Sequence, residues 1–212
     1  SGLGVEYVGL VLYAGSPRAL SLEAAVSLRR LLPSHVQCVG LFVNAHPQYV
    51  LAVQRRLGLD VLQFHGDESV EHCLESSSCT FWRAVRMKRP ESLAQAMNEF
   101  AAVSSDRSKP KGAVSDAGFC EAFLVDADAR FAYGGSGQAF DWSWLSPPAS
   151  RPPRLILSGG LSGANVQSAL RTVKPWAVDV SSGIQGVSPR IKDAGKMEAF
   201  VNAVRFFNHE AD

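Results

Sequence analysis

The sequence predicts a parallel α/β fold, either an open sheet or one closed into a barrel, on three observations. Short runs rich in apolar and β-branched residues recur from one end of the chain to the other. Most are almost continuously apolar, as strands covered on both faces are, instead of alternating. Between them lie stretches whose apolar residues repeat three and four apart, the spacing of one helix face. Strand–helix alternation of this kind builds a parallel sheet.

The first strand is expected over 7–13 and runs out into Gly15-Ser16-Pro17-Arg18. Ser21 then caps a helix over 22–32, with Ala25, Leu28 and Leu32 on one side. A strand over 37–44 leads to a helix striped by Val50, Val53 and Leu57 and ended by Gly58. The third strand covers 61–66, and Asp67 and Glu68 are expected to open the next helix, where acidic residues suit the dipole. A fourth strand over 80–88 precedes a helix marked by Pro90 and striped by Leu93, Met97 and Phe100. After a polar excursion over 104–118 come strands over 122–128, 154–160 and 177–183. Asp141 caps a short helix between the first two of these, and a final helix covers 193–207. Seven strands are visible, one fewer than an eight-stranded barrel needs.

At 212 residues, 46% apolar and 19% charged, the chain reads as a single globular domain over 1–212. Its 21 basic and 20 acidic residues are well mixed, so no footprint for nucleic acid or an anionic membrane stands out. Any bound anion is therefore small and held locally. Cys38, Cys73, Cys79 and Cys120 show no C-x-x-C spacing and read as free thiols of a reducing compartment. No run has the length of a membrane span and no signal-peptide pattern is visible, so the expectation is a cytoplasmic protein.

In parallel α/β folds the working face lies at the carboxyl ends of the strands. Those ends read "SPR" (16–18), "FVN" (42–44), "QFHGDE" (63–68), "VRMK" (85–88), "LVDAD" (124–128), "LSGGL" (157–161) and "VSSGIQG" (180–186). Gly159 and Gly160 lead a strand into a helix, where glycine backbone can approach an anion. One unit later Ser181, Ser182 and Gly183 repeat the arrangement, and the pair matches the usual phosphate site of such barrels. Asp126 ends an apolar strand, where burial is costly; it serves either as a general acid or base, or as a structural carboxylate. Arg18 is either a fork for a planar carboxylate or a surface arginine after a proline turn. His65 reads first as a hydrogen-bonded structural histidine. No residue set has metal-ligand spacing.

Taken together these stretches resemble the phosphoribosylanthranilate isomerase family. The matching pieces are "GLVLYAGSPR" (9–18), "VGLFVN" (39–44), "LDVLQFHGDES" (59–69), "FLVDADARFAYGGSGQAFDW" (123–142), "LILSGGLSGANV" (155–166), "VDVSSGIQG" (178–186) and "KDAGKMEAFV" (192–201). Their order and spacing are highly specific. The resemblance implies a (β/α)8 barrel and an Amadori rearrangement of N-(5-phosphoribosyl)anthranilate in tryptophan biosynthesis, without metal or cofactor. It implies Asp126 as the general acid and Arg18 as the clamp on the anthranilate carboxylate. Gly159, Gly160, Ser181, Ser182 and Gly183 match the phosphate cradle, and Asp179 and His65 face the substrate. The implied partner is that phosphorylated small molecule, with a monomer or homodimer as the assembly.

The chain also departs from the family pattern. The family carries its general base, a cysteine, at the end of a first strand that has no counterpart here. None of the four cysteines stands where a base is needed. Gln185 replaces an acid after "SSG", and Ser136 a threonine in the 134–137 glycine loop. The expectation is a competent isomerase whose first βα unit lies outside this sequence, since an incomplete barrel exposes a strand edge and an apolar wall. The alternatives are a shortened, non-catalytic chain binding a phosphorylated ligand or a partner, and another phosphate-binding barrel enzyme of tryptophan or histidine synthesis. The "SPR", "HGDE" and "GGSGQAFDW" set argues against the last.

Overall fold

The structure, a computed structural model, describes residues 2–105, 118–127, 140–145 and 148–211. Seven strands form one sheet in the order β1 to β7: β1 (Tyr7–Val11), β2 (Gln37–Phe42), β3 (Val61–Phe64), β4 (Phe81–Met87), β5 (Cys120–Ala127), β6 (Leu155–Leu157) and β7 (Ala177–Val178). The pairs β1–β2, β2–β3, β3–β4 and β6–β7 run parallel. Among the described residues six α-helices follow β1, β2, β3, β4, β6 and β7 in turn: α1 (Leu22–Leu31), α2 (Pro47–Leu57), α3 (Val70–Glu75), α4 (Ser92–Ser105), α5 (Val166–Val173) and α6 (Ala194–Ala211). The chain divides into two compact units, Ser1–Ala84 with Gln95–Phe123, and Val85–Ala94 with Leu124–Asp212.

In the first unit the helix ends follow their local chemistry. Ser21 Oγ accepts the Ala24 N–H, and Glu23 and Arg29 with Arg30 complement the α1 dipole at its two ends. Pro47 opens α2, and Gly58 closes it at φ 57°, a left-handed conformation that glycine reaches without strain. The helices cover a core in which Phe42, Phe64, Phe81 and Leu62 are fully enclosed. Phe64 and Phe81 meet edge to face at 5.4 Å. On the other face of the strands Tyr7 packs against Trp82, whose indole N–H donates to Glu121.

In the second unit α5 buries Val166, Ala169, Leu170 and Val173, and α6 contributes Phe200. Asp141 caps the single turn Trp142–Leu145, its Oδ1 accepting the Ser143 N–H.

Three expectations need correction. The strands β1, β2, β3 and β6 stop short of their expected ends, and β7 is only Ala177–Val178, with the chain going on into a 3-10 turn at Ser182–Ile184. Glu68 does not open α3; Ser69 caps that helix, and the Glu68 carboxylate is buried on loop N–H groups and Arg83. Cys120 lies inside β5 rather than ahead of it. The 134–137 glycine loop, and 106–117 of the polar excursion, lie outside the described residues.

Candidate active site

In the first unit, the loops after β1, β2 and β3 carry the sequence-predicted residues. Arg18 is not at a strand end. It sits half-buried in a loop stepped by Ser16 N–H to Tyr13 O, Ala19 N–H to Ser16 O and Leu20 N–H to Val11 O. Its own N–H donates to Ser16 Oγ, so the Ser-Pro turn sets where the side chain leaves the backbone.

His65 follows β3 directly and is buried. Its N–H donates to Phe42 O at 2.9 Å, and Nδ1 lies 2.9 Å from Gln63 Nε2. Behind it runs a polar network that sequence reasoning missed. Glu68 Oε1 accepts the Asn44 N–H at 2.7 Å, and Oε2 accepts the Gly66 N–H at 2.9 Å. Arg83 Nη1 completes an ion pair with Oε2 at 2.8 Å. Asn44 holds φ 50° and accepts the Asp67 N–H on its side-chain oxygen. The only sequence signal was "HGDE", read as a helix start.

In the second unit the tertiary structure gathers Asp126, Gly159 and Asp179. Asp126 is the penultimate residue of β5, 4% exposed, with Oδ1 accepting the Ala127 N–H at 2.8 Å. Gly159 lies against it. A Cβ there would stand 2.5 Å from Ala127 N and 2.9 Å from Asp126 Oδ1, and φ is +84°. Only glycine meets both demands. The preceding residue, Ser158, donates its hydroxyl to Asp179 Oδ2 at 2.9 Å.

Gly160, at φ +67°, continues the turn. Asn165 cross-links that loop: Oδ1 accepts the Ser162 N–H at 2.8 Å, and Nδ2 donates to Gly160 O at 2.9 Å. The second glycine loop meets the first at Gly183, where a Cβ would collide with the Leu161 carbonyl. Ser181, Ser182 and Gly183 are half-buried, and Lys192 Nζ donates to Ser181 O at 2.9 Å. The result is a pair of touching, glycine-dependent loops next to a buried carboxylate. Such loops present backbone N–H groups to an anion.

The four cysteines stand apart from this chemistry. Cys38 lies near the start of β2, Cys73 within α3, Cys79 just before β4 and Cys120 at the start of β5. Burial pushes the Cys73 thiol up to about 12 and the other three to about 11. All four are therefore protonated at neutral pH, and none offers a thiolate. Among the described residues no group of three or more His, Cys, Asp and Glu could hold a metal ion. No helix among them is long and apolar enough to cross a membrane.

The family model for N-(5'phosphoribosyl)anthranilate (PRA) isomerase matches residues 2–203. N-(5'-phosphoribosyl)anthranilate isomerase of Thiobacillus denitrificans is 40% identical over 202 residues, covering 95% of this chain and 88% of the relative. Phosphoribosyl anthranilate isomerase from Thermotoga maritima superposes with a TM-score of 0.81 at 33% identity, covering 97% of this chain and 90% of that one. A phosphoribosyl anthranilate isomerase solved with reduced 1-(o-carboxyphenylamino)-1-deoxyribulose 5-phosphate gives 0.77 at 31% identity, with the same coverage.

Proposed function

The chain belongs to the N-(5'-phosphoribosyl)anthranilate isomerase family, and on that premise we propose that it performs this family's Amadori rearrangement with Asp126 as general acid. The substrate is N-(5-phosphoribosyl)anthranilate and the product 1-(2-carboxyphenylamino)-1-deoxyribulose 5-phosphate, an aldose-to-ketose isomerisation of tryptophan biosynthesis.

The reading is carried by the packing of Asp126 against Gly159, which sets a buried carboxyl group beside a loop suited to a phosphate. The Ala127 N–H anchors Oδ1 and so limits rotation of the carboxyl group. Asp126 gives its proton to the ribose ring oxygen, the C1–O bond breaks, and the anthranilate nitrogen's lone pair forms the Schiff base. Loss of the C2 proton to a base returns that pair to nitrogen as an enolamine, which tautomerises to the ketose. None of the four cysteines is assigned as that base.

Gly159, Gly160, Ser181, Ser182 and Gly183 hold the phosphate through backbone N–H groups, an arrangement that costs no side-chain entropy. Asp179, oriented by the Ser158 hydroxyl, faces the sugar. Arg18 grips the anthranilate carboxylate with its planar fork, and His65 faces the substrate from the end of β3. In this reading residues 1–212 form one domain, its seven strands belong to a (β/α)8 barrel, and the cytoplasmic protein works as a monomer or homodimer. A relative from Thermotoga maritima is described as dimeric and is solved as monomers generated from that dimer, so both assemblies occur for a similar chain.

The decisive experiment follows the loss of anthranilate fluorescence from the substrate in the wild-type chain and in Asp126→Asn. Turnover in the wild type that collapses in the variant supports the reading. Equal turnover in both removes Asp126 from the acid role.

A further inference from the structure

The backbone on both sides of His65 is held by a single buried ion pair. Arg83 Nη1 donates to Phe64 O at 3.3 Å and Nη2 to Gly66 O at 3.2 Å, so one guanidinium spans the carbonyls before and after the histidine. Glu68 Oε2 accepts the Gly66 N–H at 2.9 Å and the Arg83 Nη1 donor at 2.8 Å. Its other oxygen ties in Asn44 N–H, on the neighbouring loop after β2, at 2.7 Å. His65 is also held by its own N–H, which donates to Phe42 O, and at Nδ1 by Gln63.

This pair acts from behind. In the β3–β4 register Phe64 pairs with Arg83 and Gln63 with Trp82. Side chains alternate along a strand, so Arg83 shares its face with Phe64, and His65 shares the opposite face with Gln63. The ion pair therefore acts on the imidazole through the backbone.

Burying such a pair is a weak source of stability. The Glu68 side chain is 1% exposed and that of Arg83 14%. Removing two charges from water consumes much of what their attraction returns, and apolar pairs of similar volume often stabilise as well. What an apolar pair cannot do is fix the carbonyls of Phe64 and Gly66 and the N–H groups of Asn44 and Gly66 in one geometry. A planar fork against a carboxylate does.

We propose that Glu68 and Arg83 are positioning residues that hold the His65 imidazole in register for the substrate of the isomerase reaction. This rests on the placement of His65 toward the substrate in the function proposed above. The pair touches no substrate and takes no part in proton transfer.

The test is a double-mutant cycle between Glu68→Gln and His65→Asn, with Arg83→Lys as a second variant that keeps the charge but loses the fork. Glu68→Gln is expected to lower kcat/KM by about 10- to 100-fold, the range for a misplaced catalytic geometry. In the His65→Asn background the same change should cost less than about twofold, because its target is gone. Arg83→Lys should lower kcat/KM comparably while thermal melting stays near wild type. Losses that simply add, or an Arg83→Lys variant with wild-type kinetics, overturn the proposal.

A readout independent of substrate separates this from the functional reading. With histidine labelled at Cε1 and the His65 signal assigned through His65→Asn, both clamp variants should shift or broaden that signal in the free protein. An unshifted signal overturns the clamp. A shifted signal in a protein that does not turn over N-(5-phosphoribosyl)anthranilate supports the clamp and overturns only the assigned reaction.

Discussion

Ser158 donates its hydroxyl to Asp179 across 2.9 Å, joining the end of β6 to the residue that follows β7. The bond ties two consecutive strand ends together beside Gly159, which itself lies against Asp126. Ser158→Ala leaves the Asp179 carboxylate without this donor. A hydrogen bond to a charged group contributes about 1.5–3 kcal/mol, so kcat/KM should fall by roughly tenfold or more. Steady-state kinetics check this, and unchanged kinetics would show that Asp179 needs no orientation from Ser158.

Asp126→Asn keeps the shape of the side chain and its acceptor for Ala127 N–H but cannot deliver a proton. General acid–base assistance amounts to about 10²–10⁴ in rate. The expected outcome is a fall in kcat of that size with KM little changed, measured by loss of substrate fluorescence.

Gly159→Ala introduces a Cβ 2.5 Å from Ala127 N at a φ of +84°. Strain of this kind costs on the order of 1–3 kcal/mol, so the melting temperature should drop. KM should rise as the loop is pushed off Asp126, and weaker inhibition by inorganic phosphate would show that the cradle itself has moved. A variant with wild-type stability and phosphate affinity would contradict this account.

Arg18→Ala removes the fork assigned to the anthranilate carboxylate. The expected result is a raised KM with a smaller effect on kcat, and Arg18→Lys should restore only part of the loss because an ammonium cannot make two parallel bonds. An unaltered KM would count against the clamp on the carboxylate.

The thiols set a pH limit. Burial raises all four above the ordinary value of 9.0, to about 11 or about 12. Below pH 9 both folded and unfolded chains keep these protons and the thiols leave stability unchanged. Above it the unfolded chain releases them first, so stability falls as pH rises from 9 through 11–12. Melting curves across that range should show the decline. At pH 8 a disulfide reagent should react with Cys38 and Cys73, the two buried thiols, only as fast as the protein opens, and a rapid reaction at either would refute its burial.

Legibility in the sequence followed locality. The Ser21 cap, the Gly58 stop and the stripe of α2 are decided within a few residues, and the structure has them where the pattern puts them. Glu68 broke the same rules. An acidic residue ahead of an apolar run reads as a helix start, but Arg83, fifteen positions away, offers a buried carboxylate more than a helix dipole does. Asn165 likewise stands at the N-cap position of α5, yet its side chain makes no cap bond and turns back onto Gly160 and Ser162.

The sequence by itself determined the alternation of strand and helix, the family and the residues at the strand ends, because periodicity and motif are properties of the chain. The tertiary structure decided which of those residues touch. It pressed Gly159 onto Asp126, joined Ser158 to Asp179, and set an ion pair behind His65. The physical reason is burial: a charged or polar group withdrawn from water must find partners, and the fold chooses them from segments that the sequence keeps apart.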